Sequence, residues 1–92
     1  MTEQQRKSID EIMDWFDFDK VHRAMRTLRW VWSSSNGVPS LPEIRQFARE
    51  LMTSSIEGNT SHSSGGFQVT YDQNDNYLRL EFIISSFEVF HD

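Results

Sequence analysis

The sequence predicts an α+β fold in which three helices pack on one face of a C-terminal antiparallel β-hairpin, in the order ααα-ββ. Apolar residues recur every three to four positions in the first half of the chain, as in helices, and at every second position near its end, as in strands. With 92 residues, the chain is expected to form one small domain over residues 1–92.

The first two helices are predicted from apolar residues at a spacing of three to four. The first covers about residues 9–16 and the second about residues 18–32. Asp17 is the expected N-cap of the second helix, because its carboxylate can accept from the free amides of the first turn. The apolar stripe of the second helix consists of Phe18, Val21, Met25, Leu28 and Trp32.

The third helix is predicted over about residues 41–57. Gly37 and Pro39 end the preceding segment, and Ser40 and Glu43 have the spacing of a capping box. Gly58 is the expected C-terminal stop.

A mobile linker is predicted over residues 58–66, followed by a β-hairpin over about residues 67–85. The alternation of apolar and polar residues slips at Ser85-Ser86, where a bulge or a strand end is expected. We expect one core between the helices and the hairpin, formed by Met25, Leu28, Phe47, Leu51, Leu80 and Phe82.

The predicted two-stranded sheet would leave two strand edges unpaired, and such a sheet is marginal by itself. A second copy of the chain would complete the sheet, so we expect a homodimer. The residues predicted for this contact alternate along the second strand and are Tyr77, Arg79, Glu81 and Ile83.

Composition and charge exclude several classes of protein. The chain has no cysteine, which excludes disulfides and thiol catalysis, and neither a signal peptide nor a membrane span is recognised, so we expect a cytoplasmic protein without membrane contact. The net charge is −5, and residues 57–92 hold six acids against one base. This excess of negative charge disfavours nonspecific binding of the whole molecule to nucleic acid.

No catalytic, metal or cofactor site is predicted. His62 lies among serines in a polar segment that offers no third group to orient it, and Gly65-Gly66 follows a helix and precedes a strand, the reverse of a phosphate-binding loop. The three histidines are too far apart in sequence for a zinc site. The acids between residues 10 and 19 are interpreted as a solvated face. We therefore expect a protein that is not an enzyme.

A candidate partner-binding surface lies on the second helix, opposite its apolar stripe. A helical wheel places Arg23, Arg26 and Trp30 together there, and tryptophan and arginine are enriched at binding hot spots. The alternative is that Trp30 packs under the first helix or the following loop, since arginine stems also cover apolar surface routinely.

Four segments together resemble short accessory proteins of tailed bacteriophages. They are FDFDKVHRAMRTLRWVW, VPSLPEIRQFARELM, SSGGFQVTY and YLRLEFII, and the resemblance spans residues 16–84. It implies an accessory protein made in the cytoplasm of an infected bacterium, where such proteins often bind a host protein. It carries over no binding or catalytic residue.

Two functions follow from these observations. The first is a non-enzymatic protein–protein interaction protein that binds and inhibits or redirects a host protein. The alternative is a small nucleic-acid-binding module that uses the basic residues of the second helix, with Trp30 stacking on a base. These basic residues are Lys20, Arg23, Arg26 and Arg29.

Overall fold

The predicted α+β class is confirmed, but the residues that the structure describes form a sheet of four strands instead of two. The computed structural model describes residues 1–29, 37–84 and 87–91, with the backbone alone for residue 84 and residues 87–91. The elements in chain order are α1 (Glu3–Trp15), α2 (Phe18–Thr27), α3 (Leu41–Glu57), β1 (His62–Ser64), β2 (Phe67–Asp72), β3 (Tyr77–Ile84) and β4 (Phe87–His91). The strands form an antiparallel sheet in the order β1-β2-β3-β4.

Side-chain caps set the start of each helix. α1 begins well before the predicted residue 9, because Thr2 and Gln5 form a capping box that the sequence also displays as T-x-x-Q. The predicted caps of the other two helices are present: Asp17 accepts from the Lys20 amide, and Ser40 and Glu43 form a reciprocal box. Each cap satisfies amides that the helix itself cannot pair.

The Glu43 carboxylate makes the stability of the α3 start depend on pH. Hydrogen bonds from the Ser40 backbone amide and then from the Ser40 hydroxyl lower the pKa of Glu43 below its ordinary value of 4.5. A lowered pKa means that the bonds stabilise the fold above the unfolded-state pKa, and that this stability is lost as the pH falls through the folded-state pKa. We expect Glu43→Gln, which does not titrate, to lose less stability than wild type between pH 6 and pH 3.

Urea denaturation at a series of pH values measures this difference. The Ser40 hydroxyl is one of the two donors to the Glu43 carboxylate. The pH profiles of Ser40→Ala and of Ser40→Ala/Glu43→Gln should therefore differ less than those of wild type and Glu43→Gln. Parallel pH profiles for wild type and Glu43→Gln would show that the cap does not titrate.

The prediction that α2 continues as a helix through Leu28 is wrong. The helix ends at Thr27, Leu28 is its C-cap, and Arg29 has a left-handed φ of 54°. Leu28 is consequently half exposed and is not a core residue. A left-handed residue after the cap is a common way for a helix to stop, but it usually requires glycine or asparagine, so the sequence carried no signal of it. Trp32 lies outside the described residues.

The predicted mobile linker contains the edge strand β1, which corrects that prediction. Gly65 and Gly66 have positive φ values of 60° and 89° and form a two-residue hairpin turn that pairs Ser64 with Phe67. The strand is tied to α3, since the Ser55 hydroxyl lies 3.1 Å from His62 Nδ1. The glycine pair falls within the predicted linker, and its hairpin signal was missed because the preceding segment SHSS has no apolar alternation.

The predicted hairpin corresponds to β2 and β3, which pair from Phe67↔Phe82 to Asp72↔Tyr77. β3 ends at Ile84, next to the predicted phase slip, and β4 then pairs from Ile84↔Phe87 to Leu80↔His91. β4 was not predicted. Both edges of the β2–β3 hairpin are therefore paired within the chain.

The core lies between the helices and one face of the sheet. α1 contacts β3 and α3, while α3 also contacts α2, β1 and β2. Of the predicted core residues, Met25, Leu80 and Phe82 are fully buried, and Phe47 and Leu51 are partly buried against the same cluster. The side-chain amide nitrogen of Gln5 donates to the Tyr71 hydroxyl at 3.0 Å, and this bond holds the start of α1 against β2.

Candidate functional site

The predicted partner-binding residues on α2 are only partly placed together. Arg23 and Arg26 are exposed on the face of α2 that points away from the core residues Val21 and Met25. Trp30, the third predicted residue, lies outside the described residues. The structure therefore supports a basic outer surface on α2 but says nothing of an indole between the arginines.

The predicted dimer residues lie on the open face of the sheet. Leu78, Leu80 and Phe82 face the helices, so the alternate positions of β3 face away from them. Arg79 Nη2 lies 3.8 Å from Glu81 Oε2, and these side chains are 30% and 14% exposed. Tyr77 and Ile83 are each 38% exposed. The four residues share a face, but they do not line an unpaired edge of the predicted hairpin.

Trp15 is the most exposed large apolar residue that the structure describes. It occupies the last position of α1, and 76% of its surface is open to solvent. Its neighbours in sequence differ from it: Phe16 and Phe18 are buried, with ring centroids 4.8 Å apart. The buried core residues therefore begin directly after Trp15 in the chain, and the indole itself lies outside the core.

Two acidic residues of α1 precede Trp15 within one helical turn. Glu11, one turn earlier, and Asp14 are both exposed, and α1 has no basic residue in its last turn. The C-terminal end of a helix is itself the negative end of its dipole, so these acids are not placed to stabilise α1. A helical wheel of α1 shows that Trp15 lies off the Ile9–Ile12–Phe16 stripe, and this was the signal available from the sequence.

A shallow groove lies between α1 and α3. It has a volume of about 330 Å³ and is lined by Met13, Leu41, Pro42, Arg45, Gln46 and Arg49. Arg49 Nη1 donates to Asp10 Oδ1 at 3.0 Å, with side-chain exposures of 42% and 55%. The Arg45 guanidinium lies 5.2 Å from the centroid of the buried Phe18 ring. Neither Arg45 nor Arg49 was predicted as a site residue from the sequence.

His62, which was considered as a catalytic residue, makes a structural contact with α3. Ser55, the hydroxyl within 3.1 Å of His62 Nδ1, is fully buried in α3. A substrate cannot reach a hydroxyl enclosed in this way, so the pair is not arranged as an exposed nucleophile and its base. The contact holds β1 against α3.

Neither a cluster of metal ligands nor a membrane-spanning helix is found among the described residues. Within them, no group of three or more histidine, aspartate or glutamate side chains is arranged to hold a metal ion. None of the helices in this part of the chain combines the length and apolar character that crossing a membrane requires.

Comparisons with protein-family models, with curated proteins and with solved structures each find no match. The function must therefore be inferred from the exposure, charge and geometry of the chain's own residues.

Proposed function

We propose that this chain is a non-enzymatic protein–protein interaction protein that uses Trp15 as its principal contact residue. The observation that carries the proposal is the 76% exposure of an indole directly in front of the closed core. Tryptophan is highly buried on average, and it is among the residues most enriched at binding hot spots. An indole left in water at the end of a capped helix is a surface that a partner can cover.

The charges near Trp15 indicate which partner surface fits. Glu11 and Asp14 favour a partner that brings lysine or arginine to the rim of the contact. A basic side chain can also lie over the indole face, where a cation–π contact contributes roughly 0.5–1 kcal/mol at an exposed site and more when desolvated. The partner surface is therefore apolar at its centre and basic at its edge.

The resemblance to accessory proteins of tailed bacteriophages supplies the proposed setting. In that setting the chain acts in the cytoplasm of an infected bacterium and occupies a surface of a host protein, which inhibits or redirects that protein. The burial of Ser55 beside His62 supports a binding role in preference to hydrolysis by this pair. The support for the host partner is the resemblance alone.

Capture from host lysate tests the proposal. Tagged wild type, Trp15→Ala and Leu28→Ala are compared, since Leu28 is a half-exposed apolar residue at the end of α2 that lies in neither predicted contact. We expect wild type and Leu28→Ala to retain the same host protein and Trp15→Ala to lose it. Equal retention by all three would contradict the role given to Trp15.

A nucleic-acid-binding module is the second candidate, and the exposure of the basic α2 residues favours it. Lys20, Arg23 and Arg26 are all exposed. Contacts of this kind would give oligonucleotide binding that weakens steeply with salt. Loss of such binding in an Arg23→Ala/Arg26→Ala double variant would favour this function, and no binding at low salt would exclude it.

The homodimer stays a prediction, with a changed geometry. Because β1 and β4 cover the edges of the β2–β3 hairpin, the predicted residues Tyr77, Arg79, Glu81 and Ile83 could meet a second copy only through the sheet face on which they lie. We expect sedimentation equilibrium at micromolar concentration to give a dimer mass for wild type and a lower one for Ile83→Asp, which would place a charge in that contact. A monomer mass for wild type throughout would contradict the dimer.

A further inference from the structure

We propose that the groove between α1 and α3 binds a carboxylate side chain of a partner protein, adjacent to an apolar residue of the same segment. This inference rests on the proposed interaction function and names a second contact within it. The groove combines an apolar lining with two guanidinium groups one helical turn apart on α3, Arg45 and Arg49.

Arg45 is the group that would hold the carboxylate. Its guanidinium carbon lies over the Phe18 ring, 5.2 Å from the ring centroid, and the residue is exposed. Among the residues that the structure describes, no carboxylate pairs with Arg45. A planar guanidinium in this state presents two parallel N–H donors, the geometry that a carboxylate matches.

The charge of the groove selects a monoanion. Arg45 and Arg49 contribute two positive charges, and Asp10 cancels one of them through its 3.0 Å contact with Arg49. The remaining single charge matches a carboxylate better than a phosphate monoester, which carries nearly two negative charges at neutral pH.

The apolar part of the groove explains why the carboxylate should have an apolar neighbour. Met13 is 4% exposed and provides a fixed floor, and Leu41 packs against the core cluster beside it. Leucine, isoleucine or methionine in the partner segment would cover these side chains and the Pro42 ring.

The openness of the groove favours a polypeptide over a free small molecule. Sites for small molecules usually bury 70–90% of the ligand surface in a cleft of about 300–1,000 Å³. The volume of about 330 Å³ is at the low end of that range, but Pro42, Arg45 and Gln46 are exposed along the rim, so the groove does not enclose a ligand. One side chain can enter such a groove while the rest of its segment lies across the neighbouring surface.

The test is an NMR titration of the full isotopically labelled chain with defined peptides. The probe is acetyl-Ala-Ala-Leu-Glu-Ala-Ala-amide, and its matched control replaces the glutamate with glutamine. We expect the Leu-Glu peptide to shift the Arg45 Nε–H and Met13 methyl signals saturably, and the Leu-Gln peptide to bind at least tenfold more weakly. Equal binding of the two peptides, or no binding of either, would overturn the proposal.

Variants separate the roles of the charged groups. Arg45→Gln should abolish the saturable shifts and Arg45→Lys should weaken them, because lysine lacks the planar pair of donors. Lys7→Gln also removes one positive charge, at an exposed residue of α1 that does not line the groove, and should bind the peptide like wild type. Asp10→Asn should raise the affinity for the Leu-Glu peptide and also permit binding of inorganic phosphate. If wild type binds inorganic phosphate as tightly as it binds the peptide, the proposed match to a single negative charge is contradicted.

Two further measurements show whether the groove prefers a carboxylate on a polypeptide or a free one, and they separate this inference from the proposed function. Free 4-methylpentanoate should bind at least tenfold more weakly than the peptide, and equal affinity would assign the groove to free carboxylates instead. Trp15 does not line the groove, so Trp15→Ala should bind the peptide normally. If Trp15→Ala loses the host partner but keeps the peptide, both proposals stand. If only the Arg45 variants lose peptide binding, the peptide binds in the groove and not at Trp15.

Discussion

Phe67→Ala is expected to lower the free energy of unfolding by about 3–5 kcal/mol, the range for deleting a buried phenylalanine ring. Phe67 is 1% exposed and lies at the centre of the aromatic core. Its ring centroid is 5.1–6.2 Å from those of Phe82, Phe47 and Phe16, and 6.4 Å from that of Phe18. Removal of the ring would open a cavity between the helix layer and the sheet, in a domain whose total stability is of the order of 5–15 kcal/mol.

Urea denaturation of Phe67→Ala measures this loss, with Tyr77→Ala as the control. Tyr77 is also an aromatic strand residue, but it lies on the open face and is 38% exposed, so its replacement should cost about 1 kcal/mol or less. Comparable losses for the two variants would mean that the aromatic cluster is not the centre of the core.

Gly66→Ala is the second substitution with a large expected effect, a loss of about 2–5 kcal/mol from backbone strain and overpacking together. Gly66 has a φ of 89°, a conformation that L side chains rarely adopt. An added Cβ would also lie 2.7 Å from Cε1 of the fully buried Phe82 ring. Movement of the ring would loosen the core. Movement of the hairpin turn would weaken the hydrogen bond that the Ile83 amide donates to the Gly66 carbonyl oxygen.

Gly37→Ala separates the two causes. Gly37 also has a positive φ, 101°, but a Cβ there would meet no atom of the described residues within 4 Å. It should show the backbone strain alone, about 1–2 kcal/mol. If Gly66→Ala costs no more than Gly37→Ala in the same denaturation experiment, the close approach to Phe82 has no energetic consequence.

The helices and the central hairpin could be predicted from sequence because their signals are local. A capping box needs two residues three positions apart, and Ser40 with Glu43 supplies both, so the start of α3 is visible without knowledge of the fold. The alternation in β2 and β3 is equally local, since one face of each strand is buried against the helices. These elements agree with their sequence patterns because tertiary packing reinforces the local preference.

The edge strands and the surface could not be predicted in the same way. β1 is made of His62, Ser63 and Ser64, and it is a strand because it pairs with β2 and because Ser55 holds His62. The end of α2 depends on a left-handed arginine, which sequence preferences disfavour. The exposure of Trp15 and the approach of Arg49 to Asp10, 39 positions apart in sequence, depend on how the helices pack.

The most direct test of the central claim is the dissociation constant of the captured host protein for wild type and for Trp15→Ala, measured by isothermal titration calorimetry. Trp15 is 76% exposed, so its replacement should leave the fold intact, which a denaturation curve can verify. If Trp15 is the principal contact residue, its removal should weaken binding by about thirtyfold or more, corresponding to a hot-spot loss of about 2 kcal/mol. A change of less than about twofold in a folded variant, or about 0.4 kcal/mol, would contradict the claim.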